Sequence, residues 1–386
     1  MMPTRETVGR AVKRLFREGR MRSALEKAVR GAVRVNPSLA GLFQDHPSAF
    51  GAIIPLEVSA EIARSLDEIP SQSTQQERRF LYQFFDSQWE GKGDVVEVGP
   101  FLGGTTRAIA LGMQANPRRS ANSTLHTFDR FAHYWTGDEL VKLIEPLISK
   151  GTLPASMRET ARTTSFLEVF RALHDRSSYG SLIKAWDHPL PDVPEQVPAM
   201  KDILRVPDGA ALGAVFIDGC KSWFGTKYFM MEMGRHALPG SYYLFQDYGW
   251  YTCFWLPAFI GLMGDRFKLV SYVDSTYTFQ LRGTLDEATI NRRVPDDAPA
   301  VGEGALTKIF EAQLRDAIAR SDSRGVVSLT LQHAAALAYI GNKERAKSII
   351  DQLATKNVPP DHREMIVAAR KSPTYTAIDQ TPITLD

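Results

Sequence analysis

The feature that most constrains the fold of this chain is an apolar run that ends in a glycine-rich turn, residues 95–105. The notable residues of this turn are, in order, Glu97, Gly99, Gly103, Gly104 and Thr105. The pattern predicts a β-strand, a tight turn and the N-terminus of a helix. Because glycine lets the backbone approach a ligand closely and a helix N-terminus offers free N–H groups, we expect the turn to bind a nucleotide-like ligand.

The spacing of these glycines differs from the dinucleotide-binding fingerprint, which reads G-x-G-x-x-G. Phe101 stands where that fingerprint needs a glycine for close approach to a pyrophosphate. The turn therefore suits a ribose and an adenine, and a nicotinamide-dependent oxidoreductase is disfavoured.

Beyond this turn, predicted strands and helices alternate, which indicates a parallel sheet with helices on both faces. Helices are expected over 57–68 and 74–89, and strands over 94–98, 124–128, 181–185, 213–217, 241–246, 267–273 and 276–282. Only Asp274 and Ser275 separate the last two strands, and a connection this short requires an antiparallel pair. The predicted fold is α/β, a doubly wound and mostly parallel seven-stranded sheet that closes with an antiparallel hairpin.

Three segments flank or interrupt this predicted domain over 37–291. Residues 1–36 are rich in Arg and Lys and are typical of a basic helix or arm, either solvated or in contact with an acidic membrane surface. The stretch 130–180 is longer than a crossover needs, so we expect a lid or a substrate-specificity element. A linker rich in Pro, Asp and Gly over 292–304 precedes a helical region, 305–386, that includes a hairpin resembling a single tetratricopeptide repeat. Such a hairpin must pack on its neighbours or on a partner.

Bulk composition excludes several function classes. The formal net charge of +2 gives no reason to expect nucleic acid as a partner, and 44% hydrophobic residues fit a folded domain. The two cysteines, Cys220 and Cys253, are too few for a disulfide framework and fit a reducing compartment. No secretion signal is evident, and the longest uncharged stretch, 248–264, is short for a bilayer span and contains Pro257. We expect a cytoplasmic protein with a small-molecule or glycan partner, and a homo-oligomer stays open.

Residues at three predicted strand ends are candidates for holding the ligand. Glu97 ends the first strand and would orient the glycine turn or reach an amino group of the ligand. Asp129 ends the second strand, where an acid in this class of fold holds both ribose hydroxyls, unless it caps a helix. Trp186 lies at the end of the third strand and would stack on an adenine or pack in the core. The expected ligand contacts therefore lie along one edge of the sheet.

Two further segments carry a resemblance to a known family. Residues 216–223 read Phe-Ile-Asp-Gly-Cys-Lys-Ser-Trp, and a Gln-Asp-Tyr segment over 246–248 follows the fifth strand. Together with the first glycine turn, they resemble class I S-adenosylmethionine-dependent methyltransferases, in particular the macrocin O-methyltransferase type, over about residues 75–282. The resemblance implies S-adenosylmethionine as the cofactor and methylation of a hydroxyl on a sugar, a glycan or a secondary metabolite.

The same resemblance implies a metal site. In that family, three carboxylates at these places bind a divalent cation such as Mg²⁺, and the matching residues here are Asp218, Gln246 and Asp247. The chain departs from the family pattern at three positions. Gln246 stands for an acid, Cys220 stands for an aspartate, and Lys221 stands for a histidine.

Lys221 is the candidate general base. It lies three residues after Asp218, as in the catechol and caffeoyl-CoA O-methyltransferases, where the lysine lies beside the reacting hydroxyl. A lowered pKa would let Lys221 accept the proton of that hydroxyl, whereas the alternative is a surface lysine at the start of a helix. His133 is a second candidate base. The departures at Gln246 and Cys220 also favour an alternative function, a catalytically degenerate methyltransferase-like binding or assembly module.

Overall fold

Seven strands form one sheet in the structure, a computed structural model that describes residues 58–132, 137–163, 165–356, 358–377 and 380–386. The strands are, in chain order, β1 (Asp94–Val98), β2 (Leu125–Asp129), β3 (Ile183–Asp187), β4 (Leu212–Ile217), β5 (Ala237–Phe245), β6 (Phe267–Val273) and β7 (Thr276–Leu281). Across the sheet they follow the order β3-β2-β1-β4-β5-β7-β6. β7 runs antiparallel to β5 and β6, and the remaining pairs are parallel. The predicted fold class, a mostly parallel seven-stranded sheet closed by an antiparallel hairpin, is confirmed.

Some of the predicted features lie outside the described residues. These are the basic segment over 1–36 and the candidate base His133. In the parts of the chain that the structure describes, no helix has both the length and the apolar character needed to cross a bilayer.

Helices pack on both faces of the sheet and continue beyond it. Within the sheet domain they are α1 (Ala60–Leu66), α2 (Gln75–Gln83), α3 (Gly104–Ala115), α4 (Gly137–Ser149), α5 (Met157–Ala161), α6 (Leu167–His174), α7 (Gln196–Ala199), α8 (Trp223–His236), α9 (Trp255–Met263) and α10 (Glu287–Arg293). After it come α11 (Glu303–Arg320), α12 (Ser323–Tyr339), α13 (Lys343–Ala354) and α14 (Pro360–Lys371). A short pair of strands, β8 (Thr374–Tyr375) and β9 (Pro382–Ile383), follows α14.

The central strand β1 contributes to two cores, because side chains along a strand alternate between its faces. Val96 and Val98 pack into the apolar cluster that contains residues of α8 and α9. Val95 packs on the opposite face with residues of α2 and α3. Glu97 is also fully buried, although it is an acid. Each buried valine contributes about 1.5–3 kcal/mol of hydrophobic stabilisation, which accounts for the apolar run that precedes the turn.

Two strand boundaries differ from those predicted. β3 begins at Ile183, later than expected, because Gly180–Leu182 form a 3₁₀ turn. β5 begins at Ala237, earlier than expected, because its pairing with β4 changes register between Leu212 and Ala214. This irregularity lets the strand continue through a proline and a glycine that would otherwise end it.

The segment between β2 and β3 forms a small core of its own, built from α4, α5 and α6. This core includes Leu102 from the glycine turn and Phe131 from the chain after β2. The ring of Phe101 contacts the ring of Phe166 edge to face, with 5.7 Å between their centroids. The inserted helices therefore pack directly on the glycine turn, and their role as a lid stays a prediction.

The C-terminal helices share the core of the sheet domain. Leu306 and Phe310 of α11, and Leu329 of α12, belong to the same apolar cluster as residues of β4 and β5. The Tyr277 hydroxyl of β7 donates a hydrogen bond at 2.7 Å to the buried Asp322, which also caps α12. This packing continues across the predicted linker, so the first two C-terminal helices are an extension of the sheet domain's core.

Candidate functional site

The candidate site lies at the edge of the sheet where the parallel strands end, between β1 and β4. The chain passes from β1 through α3 to β2 on one side, whereas β4 lies on the other side of β1. In open α/β sheets, ligands bind in the crevice at such a reversal of strand order. Gly99 and Asp218 directly follow these two strands, and the backbone N–H of Asp218 donates to the carbonyl of Val98 at 2.9 Å. The glycine turn and the predicted catalytic acid therefore meet.

Two glycines of the turn have a backbone conformation and surroundings that exclude a side chain. Gly99 and Gly103 adopt φ values of +80° and +88°. A Cβ atom at Gly99 would lie 2.0 Å from the carbonyl oxygen of Asp218, and one at Gly103 would lie 1.9 Å from Nε2 of His174. Gly104 begins α3 and packs against the loop before α2. The turn therefore requires glycine for reasons of packing as well as of conformation.

Glu97 lies beneath the turn and holds the start of α3. Its carboxylate oxygens accept hydrogen bonds from the hydroxyls of Thr105 and Thr106, each at 2.6 Å. Burial raises the pKa of Glu97 to about 7, against the effect of these two hydroxyls, and the charges of Asp129 and Asp218 raise it further. The side chain is placed to orient the turn, one of the two roles predicted for it. Thr106 was not singled out in the sequence, and direct contacts of Glu97 and Thr105 with a cofactor stay predictions.

Asp129 links the glycine turn to the chain that follows β2. Its Oδ1 accepts the backbone N–H of Phe131 at 2.9 Å, and its Oδ2 accepts that of Phe101 at 3.4 Å. Burial raises the pKa of Asp129, although these backbone N–H groups act to lower it. Asp129 caps none of the described helices. Each carboxylate oxygen keeps a second lone pair, so the side chain can still accept hydrogen bonds from ribose hydroxyls.

Trp186 packs on one face of the sheet, beside β2. Its ring stacks on Phe128 with 6.1 Å between centroids and an interplanar angle of 12°. Its Nε1 donates to Nδ1 of His126 at 3.3 Å. This is the packing of a core tryptophan, the alternative that the sequence left open, although the residue is only half-buried. Its stacking on an adenine stays a prediction.

His174 is part of the site and was not predicted from the sequence. It is fully buried at the end of α6, where its Nε2 donates to the carbonyl of Leu102 in the turn at 3.0 Å. Its Nδ1 lies 3.3 Å from the Tyr179 hydroxyl, which accepts a hydrogen bond from Arg107. Burial lowers the pKa of His174 to about 4, and the charge of Arg107 lowers it further. The turn is therefore supported by a neutral imidazole.

This imidazole predicts a pH dependence of stability. Because the pKa of His174 is about 4 in the folded state and 6.5 when unperturbed, the unfolded state binds more protons between these values. Stability should therefore fall as the pH drops from about 7.5 to about 5, and His174 should account for about 2 kcal/mol of the loss. The raised pKa of Glu97 has the opposite sign. Urea titrations of wild type and His174→Gln at both pH values isolate the histidine, and an equal loss in the two proteins would contradict a buried neutral imidazole.

The structure brings together the four residues predicted for metal binding and catalysis, at the ends of β4 and β5. Nζ of Lys221 lies 3.5 Å from Oδ1 of Asp218 and makes a closer ion pair with Oδ2 of Asp247. The Gln246 amide faces Asp218, and when it is assigned with its nitrogen towards that carboxylate it donates to Oδ1 at 3.1 Å and also contacts Oδ2. The ammonium therefore lies between two carboxylates, one of which is also hydrogen-bonded to a neutral amide.

The lowered pKa predicted for Lys221 is wrong. Burial by itself would lower it, but the carboxylates of Asp247 and Asp218 outweigh burial and raise the pKa of Lys221 well above its usual value. Burial raises the pKa of Asp218, and the Lys221 ammonium counteracts this. The sequence showed the three-residue spacing of Asp218 and Lys221 but not the second carboxylate, which comes from the end of another strand. The raised pKa favours the ammonium form of Lys221, which does not support the lowered pKa on which its predicted role as a general base rested.

The predicted Mg²⁺ ligands do not fit a metal in this arrangement. Mg²⁺ needs carboxylate and carbonyl oxygens with open lone pairs in octahedral geometry. Asp218 and Asp247 instead each direct one oxygen at the Lys221 ammonium, and the Gln246 amide, assigned with its nitrogen towards Asp218, offers that carboxylate an N–H group. Among the described residues, no group of three or more His, Cys, Asp and Glu side chains is arranged to hold a metal ion. We therefore assign no step to Mg²⁺.

Glu77 is a further acid near the site, and no sequence pattern indicated that it would lie there. It is buried at the start of α2 and accepts hydrogen bonds from Ser275 at 2.8 Å and from Thr276 at 2.9 Å, in the turn between β6 and β7. Its charge also raises the pKa of Asp218. The spacing Thr74-x-x-Glu77 is a capping box, which indicates a helix start but gives no sign of the hairpin that Glu77 contacts.

A cleft of about 590 Å³ opens between the loop that follows β5 and the C-terminal region, and the residues of the acid cluster are not among those that line it. Residues that line it include Tyr251, Thr252, Arg363, Lys371 and Tyr375. The Tyr375 hydroxyl hydrogen-bonds with the Cys253 thiol, and its pKa responds to the charges of Lys221 and Asp247. The last part of the C-terminal region thus forms a wall next to the candidate site.

Comparisons with known proteins find solved structures that are similar to this chain. No protein-family model matches the chain, and no curated protein matches it. The O-methyltransferase NovP is similar at 15% identity and a TM-score of 0.37, over 68% of this chain and all of that one. An O-methyltransferase from Bacillus cereus in complex with SAH is similar at 10% identity and a TM-score of 0.32, over 63% of this chain and 97% of that one. TomG, an O-methyltransferase from Streptomyces achromogenes, is similar at 14% identity and a TM-score of 0.29, over the same shares.

Proposed function

We propose that this chain is an S-adenosylmethionine-dependent O-methyltransferase that acts on a hydroxyl of a sugar, a glycan or a secondary metabolite. One observation carries the proposal, the meeting of Gly99 and Asp218 where the strand order reverses between β1 and β4. A glycine turn at that point gives a nucleoside close access to the backbone. The antiparallel β7 is the further feature by which the predicted methyltransferase fold differs from a plain dinucleotide-binding fold.

The charge of the crevice favours a cationic ligand over a dinucleotide. Asp129 and Asp218 lie close enough to Glu97 for their charges to raise its pKa, so three acids gather at the turn. Glu97 and Asp218, each with a pKa of about 7, are partly ionised near neutral pH, and this charge would repel a pyrophosphate and attract the sulfonium and amino groups of S-adenosylmethionine. The Phe101 side chain at the tip of the turn, with φ +52°, also fills the place that a pyrophosphate would need.

We place the acceptor in the cleft between the loop after β5 and the C-terminal wall, where Tyr375 is close enough to Lys221 and Asp247 for their charges to affect its pKa. Tyr251 and Tyr375 offer aromatic faces there, which suit a sugar ring or a planar acceptor, and Arg363 and Lys371 bring positive charge. Tyr248, which follows the acid cluster in the chain, is buried against Tyr277 and is part of the core.

Methyl transfer requires little more of the protein than this arrangement. The reaction is an in-line displacement at the methyl carbon of a sulfonium, so the main need is an oxygen nucleophile held close to that carbon. In the cluster, the Asp218 carboxylate can accept a hydrogen bond from the acceptor hydroxyl, and the Lys221 ammonium can donate one to its oxygen. Asp129 would hold the ribose, and Glu97 keeps the turn in place from below.

Calorimetry with S-adenosylhomocysteine tests the cofactor assignment. We expect wild type to bind it and Asp129→Ala to bind about 30-fold more weakly, since hydrogen bonds to a charged group are worth about 1.5–3 kcal/mol. Asp94→Ala is the matched control, because it removes an acid from the opposite end of β1 and should leave the affinity unchanged. Absence of binding to wild type would refute the proposal, and equal affinities for wild type and Asp129→Ala would refute the ribose assignment.

A non-catalytic methyltransferase-like module is the second candidate function. It is favoured by the internal pairing of Lys221 with Asp218 and Asp247, because both carboxylates already have an ammonium partner when no substrate is bound. Such a module would bind S-adenosylhomocysteine in the same experiment. Methyl transfer from labelled S-adenosylmethionine to a panel of hydroxylated sugars and phenols distinguishes the two, and transfer that Asp218→Ala abolishes would exclude the module.

A further inference from the structure

We infer that the Lys221 ammonium takes the place of a divalent cation at the ends of β4 and β5, so that the site is metal-independent and receives the acceptor oxygen directly on an ammonium group. The part of this inference that concerns the acceptor rests on the proposed function. The part that concerns the exclusion of metal rests on the contacts of Lys221 alone.

The position of the ammonium is the first support. A cation shared by Asp218 and Asp247 must lie between the ends of two adjacent parallel strands, and Nζ of Lys221 lies there, in contact with both carboxylates. The Lys221 side chain is 30% exposed, which leaves access from the crevice. An ammonium has three N–H donors, so two carboxylate contacts leave one donor for an acceptor oxygen.

The backbone around Lys221 is fixed on both sides, which is the second support. The Cys220 carbonyl accepts a hydrogen bond from Nε1 of Trp255 at 2.7 Å. Ser222 caps α8 by accepting the N–H of Gly225 at 2.8 Å, and its hydroxyl donates to the carbonyl of Asp192 at 2.7 Å. Because its two neighbours are anchored, Lys221 is presented to the acids in a defined position, as a bound ion would be.

The charge of the surrounding residues is the third support. The Gln246 amide, assigned with its nitrogen towards Asp218, donates an N–H group to that carboxylate, whereas an acid at position 246 would repel it. The cluster then holds two carboxylates and one ammonium. The departures at Gln246, Cys220 and Lys221 each remove a negative charge or add a positive one. These changes act in the same direction, towards a cluster whose net charge is only −1 without an added ion.

The consequence for the chemistry is a change in what stabilises the acceptor oxygen. As the hydroxyl oxygen attacks the methyl carbon, the C–S bond breaks, the O–H proton passes to the Asp218 carboxylate, and the oxygen carries partial negative charge until the new C–O bond is complete. An ammonium fixed beside it in a water-poor cleft stabilises that charge with no reorganisation. The leaving group is neutral S-adenosylhomocysteine, so no further cation is required for balance.

Titration with Mn²⁺, followed by the electron paramagnetic resonance signal of the free ion, tests the exclusion of metal without any turnover. Wild type should show no site at the acid pair at millimolar Mn²⁺. The double variant Lys221→Met with Gln246→Glu removes the ammonium and restores an acid, and its affinity for Mn²⁺ should rise by about tenfold or more. Lys227→Met is the matched control, because it removes another buried ammonium, which lies on α8 and pairs with Asp296, and it should leave the signal unchanged.

Two results would overturn the inference. One is saturable Mn²⁺ binding to wild type that Asp218→Asn removes, and the other is a folded double variant, verified by circular dichroism, that gains no affinity. The more conservative Lys221→Gln gives the same reading if the methionine variant does not fold. Methyl transfer that is equal in EDTA and in Mg²⁺ supports the catalytic part. Failure of S-adenosylhomocysteine to bind would refute the proposed function and leave the Mn²⁺ result standing.

Discussion

Replacing Gly99 with alanine should destabilise the protein by about 3 kcal/mol or more and abolish the binding of S-adenosylhomocysteine. The φ of +80° is a left-handed conformation that alanine adopts only at a cost of about 1–2 kcal/mol. In addition, the new Cβ would lie 2.0 Å from the carbonyl oxygen of Asp218, so the ends of β1 and β4 would have to separate. Urea denaturation measures the loss of stability, and calorimetry measures the loss of binding.

Gly209→Ala is the matched control for this substitution. Gly209 has almost the same φ, +81°, but a Cβ there would meet no atom within 4 Å. It should therefore show only the conformational cost, about 1 kcal/mol, with the affinity for S-adenosylhomocysteine intact. If both variants lose the same stability and the Gly99 variant still binds S-adenosylhomocysteine, the close approach of β1 and β4 would not be the reason that position 99 needs glycine.

Asp322→Ala should destabilise the protein by about 3 kcal/mol, through the contact between the sheet and the C-terminal helices. The substitution removes the N-cap of α12, worth about 1 kcal/mol, and leaves the buried Tyr277 hydroxyl without its acceptor, worth about 1–3 kcal/mol. Thermal and urea unfolding should both report the loss, with the sheet and the C-terminal helices unfolding in one transition. Two separate transitions in wild type would show that the helices are an independent unit.

Asp286→Ala provides the comparison. Asp286 caps α10 by accepting the N–H of Thr289 at 2.7 Å, but it is exposed and is not the acceptor for a buried tyrosine hydroxyl. Its loss should therefore be limited to the cap, about 1 kcal/mol. A similar loss in both variants would mean that the hydrogen bond between Tyr277 and Asp322 adds nothing to the stability of the helix contact.

The sheet was predictable because its signals are local. A buried strand needs a short apolar run, and the two residues between β6 and β7 permit only one direction of pairing. The misplaced starts of β3 and β5 show the limit of this reasoning. Both depend on irregular backbone, a 3₁₀ turn in one case and a change of register in the other, and neither has a marker in composition.

The sequence could predict which residues meet at the candidate site, but it could not predict the ionisation state of Lys221. Residues that follow parallel strands share one edge, so Asp218 and Asp247 could be expected to meet. The ionisation of Lys221 depends on a second carboxylate at hydrogen-bonding distance, and such distances are set by packing across the sheet. His174 and Tyr375 had no pattern to reveal them, because each is brought to the site by an element far from it in the chain.

The wall formed by Tyr375 has a consequence for the order in which the protein matures during synthesis. Thr374 donates a hydrogen bond at 3.1 Å to the carbonyl of Thr252, a contact that spans 122 positions of the chain. A ribosome adds about 5–20 residues per second, so the loop after β5 waits several seconds for this partner after it has been made. During that interval the nascent sheet can already close around the glycine turn. The crevice between β1 and β4 can thus form first, and the cleft lined by Tyr375 only when the strand at Thr374–Tyr375 has emerged.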